Sequence, residues 1–267
     1  MANPVFDPRE HAADVEALRA ARLARLLGEE SWLSLVGKFW LSEGVSRVGS
    51  DESAEVPLPA GKAPPALGVF EVKKTAVTFT PAKGVDVQLR RRGKTTLEAV
   101  GGPVQLTSDV GGDPDRLVHG TLRLEVMERG SAVAIRVRDT ESESRTNFPG
   151  IDYFPIDPTF RVVAEIERYP TEKKIELAYE TGATETYICP YAARFTLHGK
   201  TYRVDPVLDG PRPRLFLIFA DETNRDLTYG AGRFLYASLP RGEQVVLDFN
   251  EAFNPPCAFT PHAVCPL

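Results

Sequence analysis

The chain has 267 residues, 42% of them hydrophobic and 26% charged, and a formal charge of −5. This is ordinary globular composition, long enough to bury a core without a metal or disulfide scaffold. The acidic balance argues against nucleic acid or an anionic membrane as a partner, and no apolar run approaches the ~20 residues that a transmembrane helix needs.

The N-terminal run Met1-Ala2-Asn3-Pro4-Val5-Phe6-Asp7 lacks the basic start and apolar stretch of an export signal. Three cysteines, Cys189, Cys257 and Cys265, are too few for a secreted disulfide framework. A soluble, cytoplasmic protein is therefore expected. Asp7-Pro8 opens a helix, with Asp as cap and Pro in the first turn. Val15, Leu18, Leu23, Leu26 and Leu27 follow at helical spacing, and Gly28 stops it. Ser31 to Leu41 fits either a helical or a strand face, and Gly37 with the aromatics favours a strand at its C-terminal end.

From there the period is two. Val69–Val72 and Ala76–Thr80 alternate around a turn at Lys73-Lys74-Thr75. Val85, Val87 and Leu89 alternate with polar residues. Leu122–Val126 and Ala132–Val137 predict a hairpin around Arg129-Gly130. Further strands are expected at Arg161–Ile166, Lys174–Tyr179, Ala193–Leu197, Tyr202–Val204, Leu215–Ala220, Phe234–Ala237 and Val245–Phe249. The pattern predicts a mainly β protein: an N-terminal helix over 1–30, a sandwich-like unit over 31–138, a crossover over 139–159, and a second β unit carrying the candidate site over 160–267.

Three constellations could carry chemistry. In Tyr229-Gly230-Ala231-Gly232-Arg233 the glycines allow close backbone approach, and Arg233 can grip a carboxylate or phosphate. The competing reading is a Gly-rich turn with Arg233 in a structural salt bridge. In Asp248-Phe249-Asn250, strand alternation sets Asp248 and Asn250 on one face, opposite Val245, Leu247 and Phe249. A carboxylate beside an amide can orient water or a substrate hydroxyl, or ligate a hard cation. Asn250 and Asn254 could instead shape the turn into Pro255-Pro256. Cys257, His262 and Cys265 contain no Cys-x-x-Cys pair, so the pattern argues against zinc. A Cys257–Cys265 disulfide and two packed thiols both stay open. His119 and His198 each precede a glycine and read as turn histidines, and no Gly-x-Ser-x-Gly elbow occurs.

Several stretches together resemble one bacterial family, domain-of-unknown-function family 1684. They are Trp32–Leu41, Arg47-Val48-Gly49-Ser50-Asp51, Tyr229–Phe234, Leu247-Asp248-Phe249-Asn250, Asn254–Phe259 and Cys265-Pro266-Leu267. The resemblance implies no activity. It implies a tail beyond Cys-Pro-Leu in relatives, and it places an Arg- and Asp-rich stretch at the crossover. There Asp139, Arg145, Asp152, Tyr153 and Asp157 stand, and Arg145 and Asp139 could line a cleft or belong to a solvated linker. Val48-Gly49-Ser50-Asp51 and Glu55-Val56-Pro57-Leu58, with the strands that follow, also resemble the opening of a forkhead-associated sandwich. Ser50 stands where that family has Arg, and no Ser-x-x-His word follows, so only a fold is implied.

The expected function is a hydrolase-like enzyme acting on a small polar or anionic substrate in the C-terminal half. Asp248 and Asn250 are the catalytic candidates; Tyr229, Gly230, Gly232, Arg233, Asn254 and Arg145 are the substrate-binding ones. The alternative is a non-catalytic ligand- or protein-binding β module. No metal ligand set, cofactor or oligomeric state follows from the sequence.

Overall fold

Asp7 caps the first helix: its side chain accepts the Arg9 amide at 2.8 Å, which satisfies one of the free donors at a helix start. Helix α1 (Pro8–Leu26) follows in a computed structural model that describes residues 6–178, 184–210 and 213–265. Met1–Val5, Tyr179 and Pro266-Leu267, used above in reading the start, a strand and the tail, lie outside the described residues. The most covered positions of α1 are His11, Ala12, Val15, Leu18, Arg19, Arg22, Leu23 and Leu26. Within them His11, Val15, Arg19 and Arg22 follow the i, i+4, i+8, i+11 spacing of one helical face. That face is unusual in being largely basic.

The chain divides into two compact units. One comprises Leu26–Phe148 with Thr260–Ala263, the other Met1–Arg25, Pro149–Phe259 and Val264–Leu267. The body of α1 therefore belongs with the second β unit. The change of unit falls between Phe148 and Pro149, inside the stretch read from sequence as a crossover.

The first unit contains β1 (Leu35–Leu41), β2 (Gly44–Gly49), β3 (Val56–Pro57), β4 (Gly68–Lys73), β5 (Ala76–Pro81), β6 (Gln88–Arg90), β7 (Leu97–Ala99), β8 (Val104–Leu106), β9 (Arg116–His119), β10 (Leu122–Arg129) and β11 (Ala132–Asp139), then the short helix α2 (Glu143–Thr146). One sheet runs β1-β11-β10-β9-β6-β7 and the other β3-β2-β4-β5-β8. Both feed a single core: Val48, Phe70, Val77 and Phe79 from one sheet, Leu89, Leu117, Leu124 and Ile135 from the other. Two sheets sharing one apolar interior make a sandwich. The expected hairpin forms around Gly130, with Arg129 paired to Ala132 and Val126 to Ile135. Ser31–Leu41 resolves into a turn followed by a strand from Leu35. Val85 and Val87 precede a strand that begins only at Gln88.

The second unit contains β12 (Arg161–Ala178), β13 (Thr184–Leu197), β14 (Lys200–Val204), β15 (Val207–Asp209), β16 (Arg214–Phe219), β17 (Arg233–Ala237) and β18 (Gln244–Asp248). Its sheets run β14-β13-β12-β18 and β15-β16-β17. Val162, Ala164, Phe195 and Leu247 from the first sheet pack with Leu215, Leu217 and Leu235 from the second. The two segments expected at Arg161–Ile166 and Lys174–Tyr179 form one strand, with its register shifted between Arg168 and Lys173. Pro170 lies in that interruption and cannot donate to a ladder.

Candidate functional site

Strand β18 ends in a way that alternation does not foretell. Val245 and Leu247 point into the core as expected, but Asp248 is buried too, at 7% exposed. The chain then turns into a short 3-10 helix over Phe249–Glu251, for which Asp248 is the cap. Asp248 Oδ1 accepts the Asn250 amide at 3.0 Å and Asn250 Nδ2 at 2.8 Å. The two side chains do meet, through this capping turn rather than through a shared strand face, and they face the interior.

The other carboxylate oxygen reaches across the sequence. His11 Nε2 lies 2.5 Å from Asp248 Oδ2. An ionised carboxylate only accepts, so Nε2 is the donor in this contact and Nδ1 is the ring's other nitrogen. Nδ1 is buried and has no hydrogen-bond partner among the described residues. The Phe6 ring packs on the imidazole at 5.2 Å, and the Arg161 guanidinium lies over Phe6 at 4.9 Å. Arg161 is also the ladder partner of Asp248. Asn250 is locked in turn by Asp157, whose amide donates to Asn250 Oδ1 at 2.9 Å and whose carbonyl accepts Asn250 Nδ2 at 2.9 Å.

Glu251 lies beside this pair. Burial, and then the neighbouring Asp248 charge, hold its carboxyl above the ordinary value, against the opposing pull of Arg22, His11 and Arg161. A carboxyl raised in this way is suited to donate a proton.

The remaining sequence candidates sit in other networks. Arg233 is paired with Asp221, lies 3.5 Å from the Thr223 hydroxyl, and stacks over Phe219 at 5.0 Å. It shares no hydrogen-bond or ion-pair partner with Asp248 among the described residues, so Arg233 and Asp248 do not form one constellation. Gly232 is needed for packing: its φ is +102°, and a Cβ there would stand 2.7 Å from the Phe219 carbonyl oxygen. Gly230 has an ordinary φ, and an added Cβ would meet only Arg225 at 3.4 Å. The Tyr229 hydroxyl donates to the Cys257 carbonyl at 3.2 Å. Its hydrogen bonding with Cys257, followed by burial, pushes it up to about 12. Asn254 is half-buried just before Pro255. Arg145 is a structural tie, donating to the carbonyls of Leu27 at 2.8 Å and Thr140 at 2.6 Å. Asp139 ends β11 and caps the Glu141 amide at 3.0 Å.

The cysteines Cys257 and Cys265 are thiols, with the Cys257 amide donating to Cys265 Sγ at 3.2 Å. His262 belongs to the sandwich unit, and burial, then Lys38, pushes it down. No group of three or more His, Cys, Asp or Glu arranged to hold a metal ion occurs among the described residues. In those residues, no helix is long and apolar enough to cross a membrane.

A family model described as a protein of unknown function, DUF1684, matches residues 146–267. Residues 146–267 belong to this family. The match covers Asp248, Asn250 and Glu251, but neither His11 nor the sandwich unit, whose forkhead-associated resemblance it leaves without support. A similar solved structure is the NMR structure of an uncharacterized protein of Haloarcula marismortui. It shares 32% identity over 46% of this chain and 70% of that one, with a TM-score of 0.38. No curated protein matches.

His11, Arg19 and Arg22 are absent from the candidates drawn from sequence. His11 carries no motif, and its partner lies 237 residues away. The one local signal was the helical spacing that puts His11, Arg19 and Arg22 on the same face as Val15.

Proposed function

We propose that the unit containing α1 is a hydrolase-like enzyme domain for a small polar or anionic molecule, with His11 as general base and Asp248 as the group that orients it. The observation that carries this reading is the buried His11–Asp248 hydrogen bond with Nδ1 left without a partner. A carboxylate on one ring nitrogen fixes the tautomer and stabilises the imidazolium formed when the other takes a proton. Asn250 is a positioning residue that holds Asp248 through Oδ1. Glu251, raised by burial and by Asp248, is the matching proton donor. A positioned base of this kind contributes about 10²–10⁴-fold in rate.

The test is hydrolysis of p-nitrophenyl acetate and p-nitrophenyl phosphate by the full chain and by His11→Gln. The expected loss in His11→Gln is about 10²-fold or more, at the lower end of what a general base supplies. Full activity in that variant sinks the reading. One observation favours a non-catalytic ligand-binding module instead: His11 and Asp248 are each only 8% exposed through their side chains. The two readings part on kinetics: a base lost in His11→Gln lowers kcat with KM little changed, whereas a structural pair leaves the rate per folded molecule unchanged.

A further inference from the structure

Arg19 and Arg22 stand three residues apart on the covered face of α1, and both are half-buried. Neither has a carboxylate oxygen within 4.0 Å among the described residues, although most other covered arginines of the chain do. Arg116, Arg136, Arg138 and Arg233 each lie within that distance of an acid. Both guanidinium groups instead lie over aromatic rings, Arg19 over Tyr153 at 4.4 Å and Arg22 over Phe253 at 4.5 Å. Such stacking fixes the plane of the donors and leaves their edges for a ligand. Arg19 spends one terminal nitrogen on the Asn250 carbonyl at 3.4 Å. Arg19 Nε, an Arg22 terminal nitrogen and the Tyr153 hydroxyl are all buried with no acceptor. Burial lowers Arg22, against the opposing pull of Tyr153 and Glu251. Buried donors without acceptors carry a substantial free-energy cost, which an anion with several oxygens would relieve.

We infer that Arg19, Arg22 and Tyr153 form a binding site for a small oxyanion group, a phosphate or a carboxylate. The planar forks of the two arginines match the spaced oxygens of either group, and the tyrosine hydroxyl adds a third direction. The Asn250 carbonyl ties Arg19 to the residue that holds Asp248. This deepens the hydrolase reading and rests on it for the identity of the molecule: the anion is the part of the substrate that is gripped, and His11 is the base. Binding itself can be measured without catalysis.

The experiment follows the arginine Nε–H signals of the full chain by NMR while inorganic phosphate or acetate is added, against chloride at equal ionic strength. The expected result is a saturable shift of the Arg19 and Arg22 signals with one of the two probes, which also tells a phosphate site from a carboxylate site. Arg22→Met weakens that binding roughly tenfold, the loss that goes with one charge-assisted contact pair. Arg19→Met does the same, and His11→Gln leaves it intact. Should neither probe shift these signals beyond chloride, or should both arginine variants, folded by their amide spectra, bind as well as the parent chain, the site is overturned. Binding retained by a His11→Gln protein that keeps full esterase or phosphatase activity overturns the hydrolase reading and leaves the anion site standing. Absent binding with an inactive His11→Gln protein does the reverse.

Discussion

The two units each bury a cluster of charges, and the clusters are built on opposite terms. In the sandwich, Glu125 on β10 is 2% exposed and faces three arginines. Arg116, Arg138 and Arg136 lie 3.0, 3.1 and 3.8 Å from its oxygens. Arg116 and Arg136 are its direct ladder partners on β9 and β11. Trp32 covers Arg136 and Arg138, its ring 5.7 Å from each guanidinium, and Asp109 and Asp113 take up further positive charge. Charge meets charge there almost throughout, and among the described residues Arg136 Nε is the one buried nitrogen of these arginines without a partner. Around α1 the balance is incomplete: His11 Nδ1, Arg19 Nε, an Arg22 nitrogen and the Tyr153 hydroxyl are all left over. A closed network of this kind specifies a fold, whereas the open one around α1 is where the oxyanion site is proposed.

Glu125→Ala gives the largest contrast. It removes the carboxylate that three buried guanidinium groups share, leaves Arg138 without an acid, and is expected to destabilise the sandwich by about 3–5 kcal/mol, read by urea unfolding with Trp32 fluorescence as the probe. A loss below about 1 kcal/mol would put this network on the same footing as exposed pairs. Asp248→Asn comes next. It removes the charge from the hydrogen bonds to His11 and Asn250 and is expected to cost about 1.5–3 kcal/mol. The loss should appear as faster hydrogen exchange in α1, with β10 unchanged.

Arg22→Met should break the pattern in sign. Removing a half-buried cation that has no carboxylate in direct contact is expected to be neutral or stabilising by about 1 kcal/mol, while the same exchange at Arg138 destabilises. Equal losses at the two positions would erase the distinction between the clusters.

The smallest effect is one of pH. Glu251 is raised in the folded chain by burial and Asp248. Its ionisation therefore costs stability as pH rises through the ordinary glutamate range, so Glu251→Gln is expected to stabilise at neutral pH and to lose that advantage in acid. Asp115 has the opposite sign. Burial pushes it up, but hydrogen bonds from the Arg92 and Thr107 amides and from Arg91 bring it below its ordinary value. Asp115→Asn should therefore destabilise at neutral pH, with the difference closing as pH falls through the aspartate range. Thermal unfolding of both variants across acid and neutral pH measures the two signs.

What the sequence by itself determined is local. The Asp7 cap, the period of two in β4, β5, β10 and β11, and the turn at Gly130 can be read from neighbouring residues, because capping and strand alternation act over a few positions. The same local rule misplaced Asp248 and Asn250. It continued the strand through Phe249, where the Asp248 side chain instead caps a 3-10 turn and brings Asn250 round to the same carboxylate. For Arg233 it left an anion anchor and a structural salt bridge open, and the pairing with Asp221 matches the second. Only the tertiary structure decided that α1 joins the second β unit and that His11 meets Asp248. Nothing near either residue encodes a contact across 237 positions. That pairing is fixed by which helix face is buried and against what, a property of the packed unit and not of any segment within it.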